Sequence, residues 1–398
     1  MKLLIIHQNF PGQFRHIALE ALKQAGIEVV AIGRDTAPGL QGIKIFRYKP
    51  TRPASEETHP YIRDYENAIL HGQQVLRVAM SLKKAGYIPD VVLAHPGWGE
   101  TLFIKEAFPA AKLIHFCEFF YHSSGADSGF DPEFPSSLDS IARTRVSNAL
   151  HLLNLELCDI GITPTRWQHS LHPRAYQDKI RIVHEGIAVQ DIKPDPLATL
   201  TLPNGEVLRV GDPVVTYVAR NLEPYRGFHS FMRAVPHLLS INKKAKVVIV
   251  GGDGVSYGQM PKGFANWKER LLSEFEYDRE RLIFTGKLPV ESYRKLLQVS
   301  AVHVYLTYPF VLSWSLLEAM SAGCVVVGSK TPPVEEVISD GVNGFLVDFF
   351  DYEALAERVN YALEDVLETR KLKVEARKSA IGKSVKKGVD GYRELIGF

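Results

Sequence analysis

The sequence predicts an α/β protein built from two doubly wound, Rossmann-like parallel-sheet domains facing across a cleft. Three observations predict it. At 398 residues the chain exceeds what one ordinary core covers. Short apolar, β-branched runs alternate with longer helix-like segments along its whole length. Those runs are apolar at consecutive positions, the pattern of strands covered by helices on both faces.

In the first half the expected strands are "KLLIIH" (2–7), "EVVAIG" (28–33), "DVVLAH" (90–95), "KLIHFCE" (112–118), "DIGITP" (159–164) and "KIRIVHEG" (179–186). Helical stretches are expected at 15–25, 60–85 and 136–157. The second half repeats the theme with "PVVTYVAR" (213–220), "AKVVIVGG" (245–252), "RLIFTG" (281–286), "VHVYLT" (302–307) and "CVVVGS" (324–329). Residues 190–213 hold four prolines and several turn formers, so the inter-domain linker is expected there. The expected division is 1–190, 191–375, and a C-terminal helix over 376–398 that packs back on the first domain.

Basic and acidic residues nearly balance, 47 against 45, for a net charge of +2. Bulk charge therefore gives no case for nucleic acid or an anionic membrane. Three scattered cysteines suggest neither a disulfide framework nor a metal site and fit a reducing compartment. "MKLLIIHQNF" reads as a first strand rather than a signal peptide. No run approaches the roughly 20 apolar residues of a membrane span. The expectation is a cytoplasmic protein, with peripheral membrane contact left open and the oligomeric state unreadable.

In doubly wound sheets ligands bind beyond the carboxyl ends of strands, so the residues there carry the functional reading. "HQNFPGQFRH" follows the first strand, and Gly12 in its turn lets a ligand approach the backbone. "HFCEFFYHSSGADSGFDPEF" (115–134) places Glu118 at a strand end, with His122 four residues on and Asp127, Asp131 and Glu133 in the loop. Carboxylates and aromatic faces together suit sugar recognition, although a solvated loop has the same composition. "VARNLEPYRGF" (218–228) puts Arg220 at a strand end and Arg226 at a helix start, a pair suited to phosphate unless one arginine is taken by Glu223. In "VVIVGGDGVSYG", Gly252 and Gly254 match the start of a dinucleotide fingerprint, but Tyr257 stands where the third glycine belongs.

The stretch "YPFVLSWSLLEAMSAG" (308–323) contains one charge. From Leu296 to Ser329, Glu318 is the only Asp, Glu, Lys or Arg, where about eight would be expected from average composition. A buried carboxylate must be satisfied. On a helix, Glu318 shares a side with Ser315, Ser321 and Ala322, small residues that leave room for a ligand such as a ribose diol. A backbone donor or His303 is the other candidate partner.

Together these features resemble the retaining glycosyltransferases of family 4, also called group 1, which have the GT-B fold. The resemblance covers nearly the whole chain and is strongest over 213–350. "LLEAMSAG" matches the second half of the family's donor signature, which implies that Glu318 binds the nucleotide ribose. The signature's first Glu falls at Phe310, a departure at the sugar-contacting position. Arg220 and Arg226 match the Arg and Lys that hold the diphosphate. "VHEGI" (183–187) and "TPPVEEVISDGVNGFLV" (331–347) look like the segments that close the first domain and follow the donor site. The expected donor set is Gly12, Arg220, Arg226, Gly252, Lys287, Leu288, Ser313 and Glu318. The expected catalytic set is Glu118, Arg220 and Arg226, with His122 as the alternative to Glu118.

The resemblance implies transfer of a sugar from a nucleotide-diphosphate sugar to a hydroxyl acceptor with retained configuration, in the manner of polysaccharide biosynthesis enzymes. It implies no cofactor and no metal, since the arginines supply the counter-charge. Two rivals remain from the residues alone: a nucleotide-dependent oxidoreductase, and a nucleotide-sugar-binding protein without catalysis.

Overall fold

The computed structural model describes residues 1–398, apart from the side chain of Val366. Two compact units form: Met1–Gly186 with Val385–Phe398, and Ile187–Ser384.

The first unit is built on seven parallel strands: β1 (Lys2–Ile6), β2 (Glu28–Arg34), β3 (Lys44–Tyr48), β4 (Val91–Ala94), β5 (Lys112–Phe116), β6 (Ile160–Thr163) and β7 (Ile180–Ile182), in the order β3-β2-β1-β4-β5-β6-β7. Leu3, Leu4, Ile5 and Ile6 are fully buried because helices cover both faces. Leu3 and Ile5 face one core with Phe14 and Phe116, while Leu4 and Ile6 face another with Val75 and Leu82. β3 was not expected. Its sequence, KIFRY, lies at the sheet edge and only Tyr48 is buried, so it lacks the consecutive apolar run of the interior strands.

In the second unit, β8 (Thr199–Thr201) and β9 (Val207–Arg209) form a separate antiparallel pair. Six parallel strands follow: β10 (Val214–Asn221), β11 (Lys246–Gly252), β12 (Leu282–Gly286), β13 (Val302–Tyr305), β14 (Val325–Ser329) and β15 (Phe345–Val347), in the order β12-β11-β10-β13-β14-β15. The charge-poor stretch 296–329 supplies β13 and β14, interior strands of this sheet, which explains its composition. Residues 190–213 do not form the linker expected of them. Leu200, Leu202 and Leu208 are buried with Val214, Val248 and Leu296, so the pair β8–β9 is part of the second unit's core. Proline and turn residues marked a hairpin as well as they would have marked a linker.

The chain returns to the first unit through the helix Val385–Ile396. Val389, Tyr392 and Ile396 enter the core around β1, and Lys112 Nζ donates to the carbonyl of Leu395 at 2.8 Å.

Candidate functional site

Each sheet reverses its winding once. In the first unit the reversal lies between β1 and β4, in the second between β10 and β13. Crossovers leave the sheet in opposite directions there, so a crevice opens beyond the carboxyl ends of those two strands. Both units place their polar clusters at that point.

In the second unit, Arg220, Asn221, Glu223 and Arg226 line a pocket together with Ser256, Tyr257, Tyr305, Ser313 and Ser315. Arg220, near the end of β10, is exposed and has no hydrogen-bond or ion-pair partner among the described residues. Arg226 is fixed. Its Nη1 donates to Thr307 Oγ1 at 2.9 Å and to the Val311 carbonyl at 2.8 Å, and its guanidinium lies 5.4 Å from the Tyr257 ring centre. Neither arginine is consumed by Glu223. That carboxylate is buried and accepts the backbone N–H groups of Ser256, Tyr257 and Gly258 at 2.9, 3.1 and 2.9 Å. It holds the 256–258 loop against the pocket.

Of the other expected donor residues in this unit, Ser313 lines the pocket, whereas Gly252, Lys287, Leu288 and Glu318 do not. Ser313 caps the helix Trp314–Ala322 and receives Ser315 Oγ at 3.1 Å. Gly252 has Lys287 Cε 2.6 Å and Asn221 Oδ1 2.8 Å from where a Cβ would stand, so Gly252, Lys287 and Asn221 are brought together. Leu288 turns its side chain toward the core of Val214 and Leu296. Glu318 lies on the Ser313-capped helix but is not among the pocket's lining residues. Its partner is neither backbone nor His303. Tyr293 Oη donates to Glu318 Oε2 at 2.6 Å, while His303 bonds to Thr216 Oγ1 at 2.9 Å. Burial pushes the Glu318 carboxyl above its usual range, and the Tyr293 bond only partly offsets this. The small neighbour Ser321 does not leave space for a ligand. Its hydroxyl donates to the Ile192 carbonyl, and its own carbonyl accepts Arg377, so smallness serves close packing.

Phe310 is buried, with its ring 5.0 Å from Tyr257 and 5.4 Å from Tyr225. The Arg226 guanidinium stands 6.0 Å from the same ring. An aromatic wall thus takes the place of a carboxylate beside the arginine.

In the first unit, Gly12 has φ +47°, and a Cβ there would lie 2.3 Å from His7 Nε2. Glycine is required because the imidazole fills that space. His7 Nδ1 accepts the Asn9 N–H at 2.9 Å, so in the neutral ring Nε2 carries the proton and donates to Gln13 Oε1 at 2.7 Å. Burial, reinforced by His95, lowers the His7 pKa to about 3 and keeps the ring neutral. Gln13 Nε2 in turn donates to Glu118 Oε1 at 3.3 Å. His95 Nε2 faces Glu118 Oε2 at 3.6 Å, too long for a hydrogen bond but close enough for charge to act. Burial pushes the Glu118 carboxyl up, yet His95 beside it and the Gln13 hydrogen bond outweigh burial and hold the group below its usual range.

Both nearby histidines have backbone carbonyl partners. His122 Nε2 is taken by the Leu171 carbonyl at 2.8 Å, and His115 is buried against the Asn154 carbonyl at 3.1 Å. The acidic loop also differs from expectation. Asp127 and Asp131 are buried, and Asp131 Oδ1 accepts the Glu133 N–H at 2.9 Å. Sequence reasoning missed His7, His95 and Gln13. The two histidines directly follow β1 and β4, so a correct guess of the winding reversal would have found them.

Among the described residues no group of three or more His, Cys, Asp or Glu side chains is placed to hold a metal, and no helix is long and apolar enough to cross a membrane.

Residues 25–192 match the family described as glycosyl transferase family 4 group, and residues 201–379 match glycosyl transferases group 1. An uncharacterized glycosyltransferase of Methanocaldococcus jannaschii is 23% identical over 358 residues, 85% of this chain and 80% of that protein. The lipopolysaccharide 1,2-N-acetylglucosaminetransferase of Salmonella typhimurium is 22% identical over 279 residues, 69% of this chain and 64% of that protein. Among solved structures, Anabaena HepE in complex with UDP-glucose superposes with a TM-score of 0.69 at 16% identity, covering 100% of this chain and 99% of that one. The last similarity establishes the shared fold.

Proposed function

The chain belongs to the glycosyltransferases of family 4, with the GT-B fold, and from that premise we propose that it moves a hexose from a UDP-sugar to a hydroxyl acceptor with retention of configuration. Family membership makes it a nucleotide-sugar-dependent glycosyltransferase. One observation carries the proposal: a free guanidinium, Arg220, and an anchored one, Arg226, line one pocket at the winding reversal of the second sheet.

As the anomeric C–O bond breaks, the leaving UDP gains negative charge. Arg220 and Arg226 stabilise that charge, and Arg226 is already oriented by Thr307 and Val311, so little reorganisation is needed. The acceptor oxygen bonds to the anomeric carbon, and its proton leaves with the diphosphate on the same face. Glu318, oriented by Tyr293, accepts ribose hydroxyls. Ionised Glu118 accepts a hydrogen bond from a sugar hydroxyl. Uridine is favoured over other bases by the UDP-glucose held by HepE. The unpaired cysteines fit a cytoplasmic protein.

A thermal-shift panel of UDP, GDP, ADP, dTDP and CMP tests this. A nucleotide at about 100 times its Kd stabilises by about 2.7 kcal/mol. UDP alone is expected to respond. Arg220→Ala is expected to lower kcat at least tenfold, and Glu318→Ala to weaken UDP binding. A flat panel, or both variants behaving as wild type, would sink the assignment.

A further inference from the structure

We propose that the outer edge of the first sheet is a docking groove for an acidic segment of a partner protein, which adds to β3 as a further strand. The inference goes beyond the glycosyltransferase reading and does not rest on it.

A groove of about 610 Å³ lies between β3 and the helix Arg63–Lys84. Its two walls follow from the periods of their elements. On the helix side, Gln74, Arg77, Val78, Ser81, Leu82 and Ala85 line it, a stripe at spacings of three and four. On the strand side, Lys44, Phe46 and Tyr48 share one face, and Ile45 packs in the opposite core. Leu82 and Tyr48 are buried, whereas Phe46 and Val78 are only half-buried and leave apolar surface in the groove. β3 is the last strand of its sheet, so its outer row of backbone N–H and C=O groups has no strand partner. A strand added there would lie about 4.8 Å beyond β3, alongside the helix stripe.

The walls match in length. Lys44 to Lys49 is about 16 Å of extended chain, and Gln74 to Ala85 is about 16 Å of helix. Tyr48 Oη and His71 Nδ1 are hydrogen-bonded at 3.0 Å, which sets the Gln74 end of the stripe beside the Lys49 end of the strand. Arg77 therefore falls between Lys49 and Lys44 along the groove.

Charge selects the occupant. Glu28 is the one carboxylate lining the groove. The Arg77 side chain has no hydrogen-bond or ion-pair partner among the described residues. Lys44 Nζ stands 4.8 Å from the Phe46 ring centre, and Lys49 meets only Asp35, at 3.9 Å. Arg47 is committed elsewhere, since its Nη1 donates to the carbonyls of Arg34, Asp35 and Ala37 at 3.2, 3.0 and 2.7 Å. Cations spread over about 16 Å suit carboxylates at intervals along an extended chain, where a single phosphate reaches one end only. Phe46 and Val78 accept apolar side chains between those carboxylates. The occupant is thus an extended peptide of about five residues, acidic and apolar by turns, held by main-chain bonds and alternate side-chain contacts. Charged edge strands also deter self-association. The helix wall is what separates a groove from a bare edge.

Fluorescence anisotropy on the full chain tests the proposal, with labelled Glu-Val-Glu-Val-Glu as the probe. Saturable binding is expected, weakened at least fivefold in Arg77→Glu and in Lys44→Glu, and absent for Lys-Val-Lys-Val-Lys. Both substituted side chains are exposed, and either variant suffices if the other does not fold. Alternate N–H groups of a strand point to opposite edges, so N-methylation of the glutamates or of the valines, but not of both sets equally, is expected to abolish binding. Full binding by both methylated peptides would show that no strand is added and would overturn the proposal. So would no saturable binding, or binding undiminished in both variants. Displacement of the peptide by inorganic phosphate, a uridine-rich RNA oligomer or phosphatidylglycerol vesicles at equal charge concentration would instead identify a general anion surface and overturn it too.

Discussion

Glu318 and Glu100 are both carboxylates that burial pushes upward, and they make different predictions. Glu318 accepts one phenol, that of Tyr293, at one of its two oxygens. If the ionised form binds the diol, UDP affinity is constant above the raised pKa and falls as pH drops through it. Glu318→Gln keeps an acceptor for Tyr293 but loses the charge-assisted bond, so UDP binding is expected to weaken about tenfold by titration calorimetry. Glu100 lies in the first unit, where Tyr48 Oη donates to one oxygen at 2.8 Å and the other has no hydrogen-bond partner among the described residues. Burial raises it from 4.5 to about 7. The native state keeps the proton where the unfolded chain releases it, so stability falls as pH rises from about 4.5 to 7. Over that window the loss is roughly 3 kcal/mol. Urea unfolding at pH 5 to 8 is expected to show this slope in the wild type and a flatter one in Glu100→Gln. Phe310 adds a further residue-scale contrast: a carboxylate there would compete with phosphate for Arg226, and the aromatic ring does not.

At the scale of elements, the 256–258 loop depends on a side chain distant in sequence. Glu223 binds three consecutive backbone N–H groups and so presents Ser256 and Tyr257 to the pocket. Glu223→Ala leaves those donors without their acceptor. The expected cost is roughly 3 kcal/mol in chemical denaturation, with about tenfold weaker UDP binding as Tyr257 moves off Arg226. Unchanged affinity would show that the loop is irrelevant to the donor. The strands were legible because both-face burial writes itself as consecutive apolar residues, as in "KLLII" and "KVVIV". β3 was not, because an edge strand is partly exposed and reads like a loop. The β8–β9 hairpin was not, because its leucines are spaced among prolines and turn residues. Composition likewise records the carboxylates of the loop over 123–134 but not that Asp127 and Asp131 fold inward while Glu133 stays exposed.

For the whole molecule, the final helix decides which unit is complete. Val389, Tyr392 and Ile396 bury their side chains in the first unit's core. Ending the chain at residue 384 exposes that core, at a cost of about 5 kcal/mol from three large side chains, comparable to the stability of a typical domain. The truncated protein is expected to lose the first unit's cooperative transition in calorimetry while the UDP-dependent shift of the second persists. Loss of the UDP shift as well would show that the units do not fold separately. The sequence by itself determined the α/β class, most interior strands of both sheets, and residues at or just after several strand ends, including Arg220, Arg226 and Glu118. Those features are local, set by runs of apolar residues and the turns that follow them. Tertiary structure decided which strands are neighbours, and so where each sheet reverses. That choice brought His7 beside His95, gave Glu318 to Tyr293, placed Glu223 under a distant loop, and spent Ser321 on packing. Each of these pairs is separated by at least 25 residues or depends on a crossover, and no local pattern records which of many equally apolar strands will lie side by side.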